Sequence, residues 1–226
     1  MQELKSPDEK FPRREIERAG YGAIWHGQKS WNGVAVLARD QEPRETRRGL
    51  PGDLDDSHGR YIEAAIDGMM VGCLYLPNGN PAPGPKVDYK LRWFERLHSY
   101  AAELFELDVP CALVGDFNIM PTDLDVYKPE RWRDNALFRP EVRAAYAELI
   151  AMGWTDALGC CIPNSGSIRS GSISATLSLG THAFASTIFC PVRQYARLQT
   201  YGVDRFARAW EHTSDHAPVW IELGDR

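Results

Sequence analysis

The sequence predicts an α/β fold built from two packed β-sheets with helices on the outside. Short apolar or alternating segments, typical of strands, occur both before and after long segments with helical periodicity. The dipeptide Asp67-Gly68, a strong turn signal, separates two of the strand-like segments. The chain has 226 residues, of which 43% are hydrophobic and 25% charged, enough for one large α/β domain or two small ones.

Strands dominate the predictions for the first third of the chain. Residues 10–19 are expected to form a short helix. Residues 40–58 are charged and rich in Gly, Pro and Asp, which indicates a surface loop. The expected strands are Ala23 to Trp25, Gly33 to Ala38, Tyr61 to Ile66 and Met69 to Leu76.

Two further segments have the periodicity of helices. Within residues 88–107 apolar side chains recur at helical spacing, with Asp88 as the expected N-cap. Pro140 is expected to begin a second helix, which Gly153 can end. Pro218 to Leu223 is expected to be the last strand.

The stretch 111–125 holds the main candidate site. Its apolar start, Cys111 to Val114, predicts a buried strand; Gly115 interrupts the apolar run, and the strand is expected over residues 111–118. Asp116 and Asn118 follow, two residues apart and therefore on one side of an extended chain. A carboxylate and a carboxamide at a strand end can accept a proton, hold a metal or orient a bound oxygen. A simple tight turn is the alternative, because Asp and Asn favour turns; further on, Thr122 or Asp123 can cap a short helix.

Composition excludes several classes of protein. No apolar run approaches membrane-spanning length, and the charged N-terminus has no apolar signal region, so a cytoplasmic location is expected. The net charge of -5 argues against a protein that coats DNA through bulk charge. The five Cys lack paired metal spacing and are expected to be reduced thiols. An acidic metal site inside a local basic rim remains compatible with this net charge. The candidates for the rim, for which ordinary surface is the alternative, are Arg47, Arg48, Arg60, Lys90 and Arg92.

Six ordered blocks of sequence carry a specific resemblance. Two of them are Gly115-Asp-Phe-Asn118 and Ser214-Asp-His-Ala-Pro218, and the others are Gln2 to Lys5, His26 to Ala35, Arg60 to Ala64 and Leu74 to Pro81. In these six blocks the chain resembles the endonuclease/exonuclease/phosphatase superfamily and, within it, the exodeoxyribonuclease III type. One such block is a weak signal, whereas six in order are highly specific.

The resemblance implies both a fold and a function. The fold would be a DNase I-like four-layer sandwich of two packed mixed β-sheets flanked by helices, in a single domain over residues 1–226. The function would be a metal-dependent DNA phosphodiester hydrolase, a 3′→5′ exonuclease and abasic-site endonuclease of base-excision repair. It would act as a monomer on double-stranded DNA with Mg²⁺, or Mn²⁺ as the alternative ion. A sphingomyelinase-like or inositol-phosphatase-like hydrolase is disfavoured by the block that begins at Gly27.

The resemblance also implies roles for single residues. Asp116 would hold or orient the attacking water, and Tyr75 would help to handle the proton. His216 would face the phosphate and stabilise the transition state electrostatically. The implied catalytic residues are Tyr75, Asp116, Asn118 and His216. The implied metal-site residues are Glu3, Asp116, Asn118 and Asp215. Asn32 and Arg60 would contact the phosphate or brace the site. Without the family, Glu3 would be taken for a surface residue, Tyr75 for packing, and a lone His for core or surface.

Two departures from the family pattern predict an incomplete chain. The family block at Gln2 to Lys5 ends a second strand, so the first βα unit is expected to be missing and Glu3 to lie on a terminus that frays. Between residues 159 and 195 the family's aromatic and Arg-Ile-Asp-His blocks are replaced by a sequence that matches neither a helix nor a clean strand. A catalytically impaired remnant that at most binds DNA is therefore the alternative function.

An alternate reading frame accounts for the second departure. With suitable codons, Phe184 to Cys190 read from the third base of Phe184 spells Arg-Ile-Asp-His-Leu-Leu. The same shift over Ser167 to Ser174 permits Tyr-Thr-Phe-Trp-x-Tyr-Gln. We hypothesise a frameshift over residues 159–195, which a coding sequence unable to spell these blocks would refute. A genuine insert with its own role is the alternative.

Overall fold

A computed structural model describes the chain except for residues 31, 108, 158–183, 186, 192–197, 212, 213, 215, 225 and 226. The chain divides into two compact units. Unit 1 comprises Met1–Pro77 and Arg92–Phe117, and unit 2 comprises Asn78–Leu91 and Asn118–Arg226.

Unit 1 is built mainly from strands. An antiparallel pair is formed by β1 (Tyr21–His26) and β2 (Val34–Arg39). Four further strands are neighbours in chain order within one sheet: β3 (Arg44–Arg48), β4 (Tyr61–Ile66), β5 (Met69–Tyr75) and β6 (Cys111–Asp116). The β3–β4 and β4–β5 pairs are antiparallel and the β5–β6 pair is parallel, so this sheet is mixed. The hydrophobic core of unit 1 includes Val34 of β2, Ile62 of β4 and Cys73 of β5.

The predicted hairpin about Asp67-Gly68 is confirmed. β4 and β5 pair from Ile66 with Met69 outward, which leaves these two residues as the turn. Asp67 has a φ of 49° and Gly68 a φ of 74°. A two-residue hairpin turn of this kind requires positive φ at both positions, and Asp-Gly meets that requirement at small cost.

The predicted helices are confirmed as α1 (Arg13–Arg18), α2 (Pro85–Glu106) and α3 (Pro140–Ala151). α2 buries its periodic apolar face, including Phe94 and Leu97. Its first residue is Pro85, so Asp88 lies within the first turn and the predicted N-cap is wrong. Proline suits the first helical position because its missing N–H would have no partner there. Among the described residues, every helix is too short or too polar to cross a membrane.

The predicted loop over residues 40–58 is wrong in part, because it contains β3. The strand's sequence is Arg-Glu-Thr-Arg-Arg and its side chains are mostly exposed. β3 is an edge strand of the sheet, where charged side chains discourage pairing with other chains. An exposed strand of this kind lacks the apolar alternation on which a sequence-based prediction depends.

The predicted fraying at Glu3 is also wrong. Leu4 forms an antiparallel bridge with Gly33, in which Leu4 N donates to Gly33 O at 2.8 Å. Ala35 N donates to Met1 O at 2.9 Å. Residues 1–4 therefore lie along the beginning of β2 and hold Glu3 in place through backbone hydrogen bonds.

Unit 2 contains α3 and several short strands. β7 (Trp154–Asp156) is antiparallel to β9 (Thr187–Pro191), and β10 (Leu198–Val203) is antiparallel to β12 (Val219–Leu223). β8 (Phe184–Ala185) is parallel to β11 (His216–Ala217). The prediction that residues 159–195 contain no clean strand is therefore wrong over 184–185 and 187–191. The remainder of that segment lies outside the described residues, and the frameshift hypothesis stays a prediction.

Candidate active site

Tyr75 and Asp116 end two neighbouring parallel strands. They are register partners at the last positions of β5 and β6, and both are buried. Leu76 N donates to Asp116 O at 2.9 Å, which extends the pairing one residue beyond β5. Because the carboxyl ends of parallel strands meet at one edge of a sheet, a phenol and a carboxylate lie side by side there.

Gly115 interrupts the apolar run but lies within β6, so the predicted strand over 111–118 is confirmed as far as Asp116. Its φ is 141°, a value that side chains rarely allow. A Cβ added at Gly115 would lie only 1.9 Å from Leu74 O. The glycine therefore permits the close approach of β6 to β5 immediately before Asp116.

A hydrogen bond joins Tyr75 to Glu3. The Tyr75 hydroxyl donates to Glu3 Oε1. Glu3 has a φ of 57°, which is uncommon for a residue other than glycine. Arg60 lies beside the same tyrosine: its Nη1 donates to Tyr75 O at 3.2 Å, and its guanidinium carbon is 5.3 Å from the ring centroid. Three separate sequence blocks thus meet around Tyr75.

Asn118 adopts a left-handed backbone conformation with a φ of 46°. The prediction that an extended chain carries Asp116 and Asn118 on one side is therefore wrong at Asn118. Its carboxamide is buried, and its Oδ1 accepts a hydrogen bond from Asn78 Nδ2 at 2.9 Å. Asn78 is not among the site residues predicted from the sequence, although the turn-forming Pro77-Asn78-Gly79 lies within one of the six matched blocks.

Lys90 is buried, so its assignment to a basic surface rim is wrong. Its exposed fraction is 0%. Its Nζ donates to Asn78 O at 3.1 Å and to Asn118 O. The lysine therefore connects the two asparagines through their backbone carbonyls.

The predicted cap at Thr122 is confirmed. Thr122 precedes a 3₁₀ helix, Asp123–Asp125, and its side chain accepts from Leu124 N at 3.2 Å. In the reciprocal hydrogen bond, Asp125 Oδ2 accepts from Thr122 N at 2.7 Å. This reciprocal capping box fixes the chain that follows Asn118.

His216 and Asn32 have polar neighbours on their own loops. His216 begins β11, is half-buried, and donates its backbone N–H to Ser214 Oγ at 3.0 Å. Asn32 Nδ2 donates to Gln28 Oε1 at 3.0 Å, and the same oxygen accepts from Gly59 N at 3.0 Å. Gln28, which sequence analysis did not single out, thereby links the loop of Asn32 to the segment before Arg60. Asp215 lies outside the described residues.

The donor chemistry fits a hard cation with few protein ligands. Among the described residues there is no group of three or more His, Cys, Asp and Glu that could hold a metal ion, as a structural zinc site would require. Glu3 and Asp116 supply carboxylate oxygens. Mg²⁺ commonly binds through one or two carboxylates and keeps several waters.

Comparisons with known proteins agree with this fold. The profile of the Endonuclease/Exonuclease/phosphatase family matches residues 1–216. Exodeoxyribonuclease III of Haemophilus influenzae is 32% identical over 241 aligned residues, which cover 99% of this chain and 88% of that protein. The chain therefore belongs to the endonuclease/exonuclease/phosphatase family, whose nucleases are metal-dependent enzymes of the hydrolase class.

Two solved structures are similar over nearly the whole chain. An AP endonuclease from Archaeoglobus fulgidus has a TM-score of 0.85 at 30% identity and covers 99% of this chain and 87% of its own. A 3′-5′ exonuclease from Neisseria meningitidis has a TM-score of 0.87 at 33% identity, with the same coverage of 99% and 87%. The predicted α/β, DNase I-like fold class and the predicted nuclease class are confirmed.

Proposed function

We propose that this protein hydrolyses phosphodiester bonds of double-stranded DNA, as a 3′→5′ exonuclease and an abasic-site endonuclease in base-excision repair. The observation that carries the proposal is the hydrogen bond from Tyr75 to Glu3 at the strand end where Asp116 lies. The names of the relatives, an exodeoxyribonuclease III, an AP endonuclease and a 3′-5′ exonuclease, support the same chemistry. We propose that the protein acts as a monomer in the cytoplasm.

Mg²⁺ is the proposed metal, with Mn²⁺ as the alternative. Glu3 and Asp116 would hold it, and Asn118 and Asp215 remain candidates from the sequence. When bound, the ion neutralises phosphate charge and lowers the pKa of a bound water. The Tyr75 hydroxyl orients the Glu3 carboxylate, because it donates to one of its two oxygens.

Side chains of this protein would perform the remaining steps of the hydrolysis. Asp116, whose carboxylate can accept a proton, would orient and deprotonate the attacking water. Asn118 Oδ1 already accepts from Asn78, which favours a role for its Nδ2 as a donor to the phosphate. His216, as a cation, would stabilise the charge of the transition state. Arg60 and Asn32 would brace the phosphate-binding loops.

Removal of the metal is expected to abolish incision. A duplex with one abasic site should be nicked by the purified protein in Mg²⁺, not in excess EDTA, and again when Mg²⁺ is restored. The measurement is the fraction of nicked strand on a denaturing gel, with an intact duplex as the control. Incision that continues in EDTA would contradict the proposal, and DNA binding without any metal-dependent incision would identify an impaired remnant.

Tyr75→Phe is expected to lower kcat for abasic-site incision about tenfold to a hundredfold, because the Glu3 carboxylate loses the donor that orients it. The free energy of unfolding should fall by only about 1 kcal/mol, the usual net value of one hydrogen bond. Tyr127→Phe is the matched control, since the Tyr127 side chain is exposed. Equal kcat values for the Tyr75→Phe variant and the unaltered protein would argue against the orienting role.

A further inference from the structure

Lys90 is a buried cation with backbone partners in two loops. It lies in α2 with an exposed fraction of 0%. A buried ammonium group is costly unless hydrogen bonds compensate its lost hydration. Two of these bonds go to the carbonyl oxygens of Asn78 and Asn118. The buried charge therefore ties the segment after β5 to the segment after β6.

Asn118 is fixed at two points by this arrangement. Its carbonyl accepts from Lys90 Nζ, and its carboxamide oxygen accepts from Asn78 Nδ2 at 2.9 Å. Its φ of 46° lies in a region that costs free energy for a residue other than glycine, and such conformations persist where surrounding contacts enforce them. Lys90 Nζ donates to the backbone carbonyls of both residues of the Asn78–Asn118 pair.

The aliphatic stem of Lys90 also packs against the loop that follows β5 and contains Asn78 and Gly79. Gly79 has a φ of 89°, and a Cβ added there would lie 2.9 Å from Lys90 Cδ and 3.0 Å from the Ala136 Cβ. The stem thus packs directly against the turn that carries Asn78. The position of Asn78 depends on the packing of Lys90 as well as on its charge.

We propose that Lys90 is a positioning residue that sets the orientation of the Asn118 carboxamide through Asn78. Because Asn78 donates to Oδ1, this hydrogen bond fixes which end of the Asn118 carboxamide faces Asn78. The catalytic consequence rests on the proposed function, whereas the orientation of Asn118 does not. Lys90 itself does not touch the substrate.

The test compares four variants. Lys90→Met keeps the length of the stem and removes the donors, and Lys90→Arg keeps the charge and the donors. Val142→Ala removes two methyl groups from the buried face of α3 in the same unit and controls for lost stability. Lys10→Met removes an exposed positive charge and controls for weakened attraction to DNA.

In Mg²⁺ and well below each variant's Tm, Lys90→Met is expected to lower kcat for abasic-site incision about tenfold to a hundredfold, with KM changed less than about threefold. Lys90→Arg should recover part of the loss. Val142→Ala and Lys10→Met should keep the kcat of the unaltered protein. A kcat for Lys90→Met equal to that of the unaltered protein, or a loss matched by Val142→Ala at the same Tm, would overturn the proposal.

A second measurement is independent of activity. The side-chain amide signals of Asn78 and Asn118 in ¹H–¹⁵N NMR spectra of the metal-free protein should shift in Lys90→Met and stay in place in Val142→Ala. Unchanged Asn118 signals in Lys90→Met would overturn the proposal even if kcat fell. If the unaltered protein shows no metal-dependent incision, the proposed function fails, and these spectra still decide whether Lys90 positions Asn118.

Discussion

Replacement of Asp116 by asparagine is expected to lower the rate constant for abasic-site incision about a thousandfold. The substitution preserves size and shape at the end of β6, replaces one carboxylate oxygen by an NH2 donor and removes the negative charge. An uncharged amide can neither accept a proton from water at neutral pH nor bind a hard cation as a carboxylate does. The measurement is the single-turnover rate of nicking in Mg²⁺, together with the Kd for the same duplex in EDTA.

The Kd should change little, since one buried group does not dominate the contacts with a DNA backbone. Asp67→Asn is the matched control. It makes the same chemical change at the hairpin turn, where Asn-Gly supports positive φ as well as Asp-Gly does. Comparable incision rates for the Asp116→Asn and Asp67→Asn variants would rule out Asp116 as the group that activates water.

Gly115→Ala is expected to cost about 4 kcal/mol or more of the free energy of unfolding, at the upper end of what single substitutions do. The new methyl group would lie 1.9 Å from Leu74 O, and the φ of 141° is unsuited to alanine. Relief of this overlap requires β6 to move away from β5, which would also displace Asp116. Urea unfolding followed by circular dichroism measures the loss.

Gly68→Ala separates backbone strain from steric overlap. Gly68 also has a positive φ, 74°, but a Cβ there would meet no atom within 4 Å. Its expected cost is therefore only about 1 kcal/mol. Similar losses in the two alanine variants would show that the approach of Gly115 to Leu74 is not what requires glycine at position 115.

Local patterns in the sequence predicted the regular elements well. The α2 periodicity, the Asp67-Gly68 hairpin and the capping residue Thr122 each depend on neighbours a few residues apart, and each is confirmed. The exposed strand β3 and the short strands within 184–191 were missed. Strands of this kind are fixed by pairing with partners distant in the chain, and the sequence contains no local record of that pairing.

In the candidate site, too, some features were predicted from the sequence and others depend on contacts between distant residues. The resemblance led to Glu3, Tyr75 and Asp116, and the structure brings Tyr75 into contact with Glu3 and into register with Asp116. The resemblance did not predict that Gln28 links the loop of Asn32 to the segment before Arg60, which the structure shows. Such bracing contacts join residues about thirty positions apart through side chains that have no required spacing.

The sequence by itself determined the α/β class, the family and the residue types that carry the chemistry, because ordered motifs and short-range periodicity are properties of the chain alone. Only the tertiary structure decided that Lys90 is buried, that Gly115 lies too close to Leu74 O for a side chain and that Asn118 is left-handed. A charged side chain is assigned to the surface by default, and its burial depends on hydrogen-bond partners that folding supplies. Likewise, the positive φ of Asn118 is a conformation that surrounding contacts from other segments enforce.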